Sequence, residues 1–237
     1  MKTFKDIFEN IPGGRVLDVA TGAGRFVEIL KENLASFTEI IGIDNSERAE
    51  EAFTKAFHDP NIRFQSMDAH ALDFPDCSFD TVGICFSLHH LPDPLPVLRE
   101  MKRVLRPGGY FIVSEMYRDH QTETQMTHVL LHDWWAAVDT ARGVCHNKTY
   151  TRQQIMAMVR LLNLSHLIDH NLIELEDDPH DAETLKYLDD IINQYIRERS
   201  TGVPGEAVLK GQGEALRQRL HQVGYHNASV LVTVAKK

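Results

Sequence analysis

Val16-Leu17-Asp18-Val19-Ala20-Thr21-Gly22-Ala23-Gly24-Arg25-Phe26 carries an apolar run through a turn of small residues into a helical pattern. Arg15 to Ala20 is a compact apolar run broken only by Asp18, preceded by Gly13-Gly14 and followed by Gly22 and Gly24, which is the pattern of a buried strand. From Arg25 to Leu34 the apolar residues Phe26, Val27, Leu30 and Leu34 recur at helical spacing. A strand that turns through small residues into a helix aims the helix's free N–H groups and positive dipole end at whatever lies above the strand. The turn lacks the Gly-Lys-Ser/Thr ending of a nucleotide-binding P-loop. Fitted to G-x-G-x-x-G from Gly22, it places Val27 where the third glycine belongs, so the dinucleotide fingerprint is broken.

The same alternation repeats further along the chain. Glu39 to Ile43 forms a second strand ending at Asp44, and Ser46 caps a helix running to Phe57. Ile62 to Met67 and Phe79 to Phe86 read as the third and fourth strands. Asp93-Pro94 opens a helix that Pro107-Gly108-Gly109 ends, and Tyr110 to Ser114 is a fifth strand. Five strands interleaved with helices imply an α/β fold: a doubly wound, mostly parallel sheet with helices on both faces. In the second half, helices are expected over 122–141, 151–162, 181–199 and 205–223, with strands over 167–172 and 229–235. The late strands, joined without a tight crossover, point to an antiparallel edge and a seven-stranded total. One domain spans 1–237, with a core over 10–115 and helical insertions at 116–150 and 176–224 covering the substrate end.

In open α/β sheets ligands bind beyond the carboxyl ends of the strands. Three acids fall at such ends: Asp18, Asp44 and Asp68. A carboxylate at Asp44 suits the two hydroxyls of a ribose, and Asp68 with the Ala69 N–H suits the edge of an adenine. His89 and His90 follow the fourth strand. The insertion adds His128 and His132 at i, i+4, then Cys145 and His146, but no H-E-x-x-H. These are read as polar faces of a lid helix, and no metal is expected. Of the consecutive Trp134 and Trp135, one is expected in the core and the other beside the acceptor pocket.

These segments resemble class I S-adenosylmethionine-dependent methyltransferases. Residues 16–26 are similar to that family's first motif. Ile41-Gly42-Ile43-Asp44, Met67-Asp68-Ala69, 74–80, Leu88-His89-His90-Leu91-Pro92-Asp93 and 100–109 are similar to its later motifs, in order. The likeness covers about 13–115 and runs closest to the group that includes the ubiquinone and menaquinone biosynthesis enzymes. Many members carry glycine where this chain has Ala20. The resemblance implies a Rossmann-like methyltransferase fold and S-adenosyl-L-methionine as cofactor. Asp18, Ala20, Thr21, Gly22 and Gly24 would surround its methionine part, Asp44 and Asn45 its ribose, and Met67, Asp68 and Ala69 its adenine. Cys85 and Phe86 would lie near the sulfonium. Transfer would proceed by in-line displacement to a small-molecule acceptor. No catalytic residue is fixed, and His89 is the candidate base. The alternative is a regulator or scaffold that binds the cofactor without chemistry.

A formal net charge of −9 disfavours nucleic acid as the partner and, with the broken fingerprint, leaves a nicotinamide oxidoreductase or nucleic-acid methyltransferase behind. Three widely spaced cysteines form no disulfide framework, and no apolar run is long enough to span or anchor in a membrane, so a cytoplasmic enzyme is expected. The identity of the acceptor, the atom methylated and the oligomeric state are not encoded in any recognisable motif.

Overall fold

The computed structural model describes residues 2–237. Strands β1 (Arg15–Val19), β2 (Glu39–Asp44), β3 (Ile62–Ser66), β4 (Phe79–Cys85), β5 (Leu105–Met116), β6 (Ser165–Leu172) and β7 (Val230–Lys236) form one sheet in the order β3-β2-β1-β4-β5-β7-β6. The pairs among β1 to β5 are parallel. β7 runs antiparallel to β5 and to β6, so the antiparallel pairing lies at one edge of the sheet, with β6 outermost. Strand order reverses between β1 and β4, which opens a crevice above their carboxyl ends.

Period-two alternation splits the sheet between two cores. Leu17, Ile41, Val82 and Phe111 face α4 (Pro94–Val104) and α6 (Arg152–Arg160), where Leu98, Met101 and Ile155 are fully buried. Val16, Ile40, Ile112 and Val232 face the other way, onto Phe8, Phe26, Leu30 and Phe53 of α1 (Phe4–Phe8), α2 (Arg25–Asn33) and α3 (Glu47–Ala56). The short α1 has no counterpart in the sequence pattern; Thr3 and Asp6 make a reciprocal capping box that lets so few residues hold a turn. Pro107-Gly108-Gly109 does not separate helix from strand, contrary to expectation. Instead α4 stops at Val104 and β5 begins at Leu105, running through those three residues, with a register shift between Phe79 and Thr81.

Helices α5 (Glu123–Ala141), α7 (Ala182–Gln194) with the π-helical turn Tyr195–Arg199, and α8 (Glu206–Val223) build a third core of their own around Leu131, Trp134, Ile192 and Leu220. Trp134 donates its indole N–H to the Leu209 carbonyl at 2.8 Å, and Gly213 lies so close that a Cβ there would sit 2.4 Å from the ring. The helical cap is therefore packed on itself and leans on the sheet. Among the described residues no helix is long and apolar enough to cross a membrane.

Candidate cofactor cleft and histidine cavity

The β1–α2 turn is shaped by three positive φ angles, Ala20 at 55°, Gly22 at 53° and Gly24 at 90°. Glycine takes this conformation freely, whereas an alanine is strained by it, which gives a physical reason for glycine where this chain has Ala20. Gly24 is the N-cap of α2, and a Cβ on it would come within 2.2 Å of the Phe57 ring. Gly22 is the opposite case, since a Cβ there would meet nothing within 4 Å. Its backbone borders an open cleft of about 930 Å³.

Asp18 is 1% exposed. Its Oδ2 accepts from the Thr21 hydroxyl at 2.6 Å, while Oδ1 is buried with no partner. Burial, opposed by the Thr21 hydrogen bond and reinforced by the neighbouring Asp44, pushes its carboxyl up to about 7. Asp44 accepts from the Gly22 N–H and the Ser46 N–H, both at 3.0 Å, one on each oxygen. It thereby ties the first turn to the second, and the cap of α3 is Ser46 rather than Asp44. Asp68 accepts from the His70 backbone N–H at 2.9 Å and lies 3.0 Å from its ring, contacts that lower its carboxyl below the usual range. Ser87 donates to the carbonyls of Ala20 and Cys85, locking the β4 end against the β1 turn. Burial drives the Cys85 thiol well above its ordinary value.

Asp18, Ala20, Thr21, Gly22, Asp44, Asn45, Met67, Asp68, Ala69, Cys85 and Phe86 all line this one cleft. Gly24 does not; it acts through the backbone path that starts α2. Val144 and Cys145, on the loop after α5, also border the cleft, and no sequence motif marks them for it. That loop is pinned by the Asn147 N–H to the His89 carbonyl at 2.7 Å and by the Asn147 side chain to the Leu91 carbonyl at 2.9 Å.

A second cavity of about 370 Å³ meets the cleft at Arg25, Phe86 and His90. Phe4, Met116, Leu172 and Val230 make much of its wall, and His89, His128 and His132 supply polar atoms. His89 lies in a tight 3-10 turn, Leu88–His90, and is 2% exposed. Its Nδ1 is 3.0 Å from Glu115, a fully buried carboxylate on β5 that also accepts from the Leu88 N–H at 2.9 Å. His132 and His146 close on it, and their ligand-capable nitrogens and that of His89 lie within 4.8 Å of one another. His128 and His132 do not make a solvated polar face of α5, contrary to the reading from spacing, since His132 is buried and His128 partly so. His128 Nδ1 accepts from the Ala228 N–H at 2.9 Å, whereas His132 joins the cluster. The two tryptophans follow the expected pattern only in part. Trp134 is in the core, but Trp135 does not line the cavity; it packs between the rings of His132 and Tyr195.

A doubly wound sheet with carboxylates at the ends of three successive strands, all lining one cleft, defines a Rossmann-like fold with a ligand-sized crevice at its switch point. Residues 17–113 match the family model described as a methyltransferase domain. It is 40% identical over 104 residues to demethylmenaquinone methyltransferase of Staphylococcus aureus, covering 44% of this chain and 43% of that protein. It is 30% identical over 142 residues to 2-phytyl-1,4-naphtoquinone methyltransferase of Synechococcus elongatus, covering 56% of this chain and 59% of that protein. The chain thus spans about half the length of the curated relatives it matches. Among solved structures, the cyclase SpnF superposes with a TM-score of 0.65 at 18% identity, covering 99% of this chain and 78% of that one. The YcgJ protein of Bacillus subtilis superposes with a TM-score of 0.58 at 21% identity, covering 97% and 94%. These likenesses concern the fold, and one of the two is named as a cyclase, so the fold does not fix the reaction.

Proposed function

We propose that this chain transfers the methyl group of S-adenosyl-L-methionine to a small-molecule acceptor. The observation that carries the reading is the convergence of Asp18, Asp44 and Asp68 on one cleft of about 930 Å³. The residues fit the ligand. The unpartnered Oδ1 of Asp18 is a buried acceptor suited to an ammonium group, which would also draw that carboxyl back to its charged form. The open face of Gly22 admits a ligand against the backbone. Arg25 and the start of α2 suit a carboxylate. Asp44 keeps lone pairs for ribose hydroxyls beyond its two backbone bonds, and Asp68 with Ala69 suits the adenine edge.

When bound, the cofactor supplies a methyl group already activated by a cationic sulfur. What remains for the protein is to align the acceptor and keep water out. Phe86, held at a φ of 48° at the junction of cleft and cavity, sets the boundary between the two ligands. Val144 and Cys145 border the cleft from the cap side. The mostly apolar wall of the smaller cavity suits a compact acceptor with a nonpolar body. A net charge of −9 and three free cysteines support the reading of a cytoplasmic enzyme whose partner is a small molecule rather than a nucleic acid.

The test is incubation of the purified protein with S-adenosylmethionine bearing a deuterated methyl group and a small-molecule extract, followed by mass spectrometry. A labelled small molecule that depends on the protein is expected. Cofactor binding with no labelled product would favour the regulator or scaffold instead.

A further inference from the structure

We propose that His89, His132 and His146 form a three-histidine site for a divalent transition-metal ion of the zinc class, at the inner wall of the acceptor cavity. The three residues come from separate segments: the turn after β4, the middle of α5, and the loop after α5. All three are buried, at 2%, 9% and 8% exposure, and their nitrogens lie within 4.8 Å of one another. Around a tetrahedral ion bound at about 2.0–2.1 Å, nitrogens stand about 3.3 Å apart. Closing the set therefore takes small imidazole rotations with no backbone rearrangement.

The groups behind the rings argue for a ligand rather than for packing. His89 Nδ1 meets the buried Glu115 at 3.0 Å, and His146 Nδ1 meets Asp139 at 2.9 Å. Asp139 is itself held by Arg199 at 2.7 Å. A carboxylate on the far nitrogen of a histidine fixes its tautomer, turns the other nitrogen inward and raises its donor strength, the arrangement that recurs behind metal-bound imidazoles. The inward atoms are left without partners. His146 Nε2 and His132 Nδ1 are both buried and make no hydrogen bond. Two orphaned ring nitrogens facing a third imidazole would be costly in a packed interior, and an ion satisfies them together. An all-nitrogen donor set selects zinc, cobalt, nickel or copper over magnesium or calcium, which prefer oxygen.

His89 and His132 line the acceptor cavity. A three-ligand site leaves a fourth position open, as catalytic rather than structural zinc sites do. That position fits a lone-pair donor of the acceptor. This last assignment rests on the methyl-transfer reading, whereas the metal site stands on its own geometry.

The experiment is a zinc titration of metal-stripped protein against a chromophoric chelator, with S-adenosylhomocysteine affinity and thermal melting measured on the same samples. Wild type is expected to bind one equivalent with a dissociation constant of roughly micromolar or tighter, and cobalt should give the visible absorption of a nitrogen-bound four-coordinate ion. His132→Ala and His146→Ala should each weaken zinc by about 100-fold or more, and Asp139→Asn by about 10–100-fold. His128→Ala, one turn away on α5, should leave zinc affinity within about twofold. Should a histidine variant unfold, Asp139→Asn decides. Less than one equivalent of zinc on wild type, or affinity indifferent to these substitutions, would overturn the site. If zinc fails while S-adenosylhomocysteine binds, the metal alone is rejected. If zinc binds and S-adenosylhomocysteine does not, the methyl-transfer reading falls and the metal site stands.

Discussion

The two cavities share Arg25, Phe86 and His90 but are built from different materials. The larger cleft is made of strand ends and turns: three carboxylates placed by β1, β2 and the segment after β3, and a backbone bent through positive φ at Ala20 and Gly22. The smaller cavity is made of side chains from elements remote in sequence, with His89, His132 and Ala228 meeting across the cap. The first is fixed by the winding of the sheet and suits a ligand common to a broad class. The second depends on how one particular cap packs, which can vary without disturbing the sheet.

The strongest way to break that contrast is at Asp18. Asp18→Asn should weaken S-adenosylhomocysteine by roughly 100-fold at pH 8, because the charged acceptor for an ammonium is gone. The same change should stabilise the ligand-free protein at pH 8 by roughly 2–4 kcal/mol. The sign follows from a carboxyl raised to about 7 in the folded protein from an ordinary value of 3.8. The folded state holds the proton more tightly, so stability falls as pH rises from about 4 to about 7 and is level above. Denaturant melts at several pH values should show this slope in wild type and lose it in the variant. Wild-type ligand affinity should rise over the same range, read by calorimetry.

Asp44→Ala comes next. Losing the ribose contacts and the links to Gly22 and Ser46 should cost about 1–3 kcal/mol of S-adenosylhomocysteine affinity, measured by calorimetry. Unchanged affinity with an intact fold would remove Asp44 from the site. Gly24→Ala tests the backbone half of the contrast. With φ at 90° and the Phe57 ring 2.2 Å from the new Cβ, it should lower stability by about 1–3 kcal/mol in urea unfolding. The smallest effect is expected at Ala20→Gly, which relieves a φ of 55° but loosens the unfolded chain. Stability should move by less than about 1 kcal/mol, and ligand affinity by less than about twofold.

The same contrast governs what could be read from the sequence. The positions of Asp18, Asp44 and Asp68 at the crevice were legible because each lies in or just after a strand-like run, and a βα unit puts the end of its strand at the crevice whatever the rest of the chain does. The strand that runs through Pro107 was not legible, since its early residues pair with Phe79 only by tertiary register. The histidine cluster was legible only in part. Spacing on α5 joins His128 to His132, but that rule speaks of one helix face in isolation. The Ala228 N–H claims His128, and the partners of His132 arrive from the β4 turn and the loop after α5. His89 Nδ1 is engaged by Glu115, which no local pattern links to it across the sheet.

A crystal structure of the protein soaked with S-adenosylhomocysteine puts the adenosyl assignment to its most direct trial. The account predicts the ligand's ammonium on the free oxygen of Asp18, its ribose hydroxyls on Asp44, and its adenine beside Asp68 and Ala69. A ligand bound elsewhere, or these carboxylates turned to bulk solvent around it, would contradict the account.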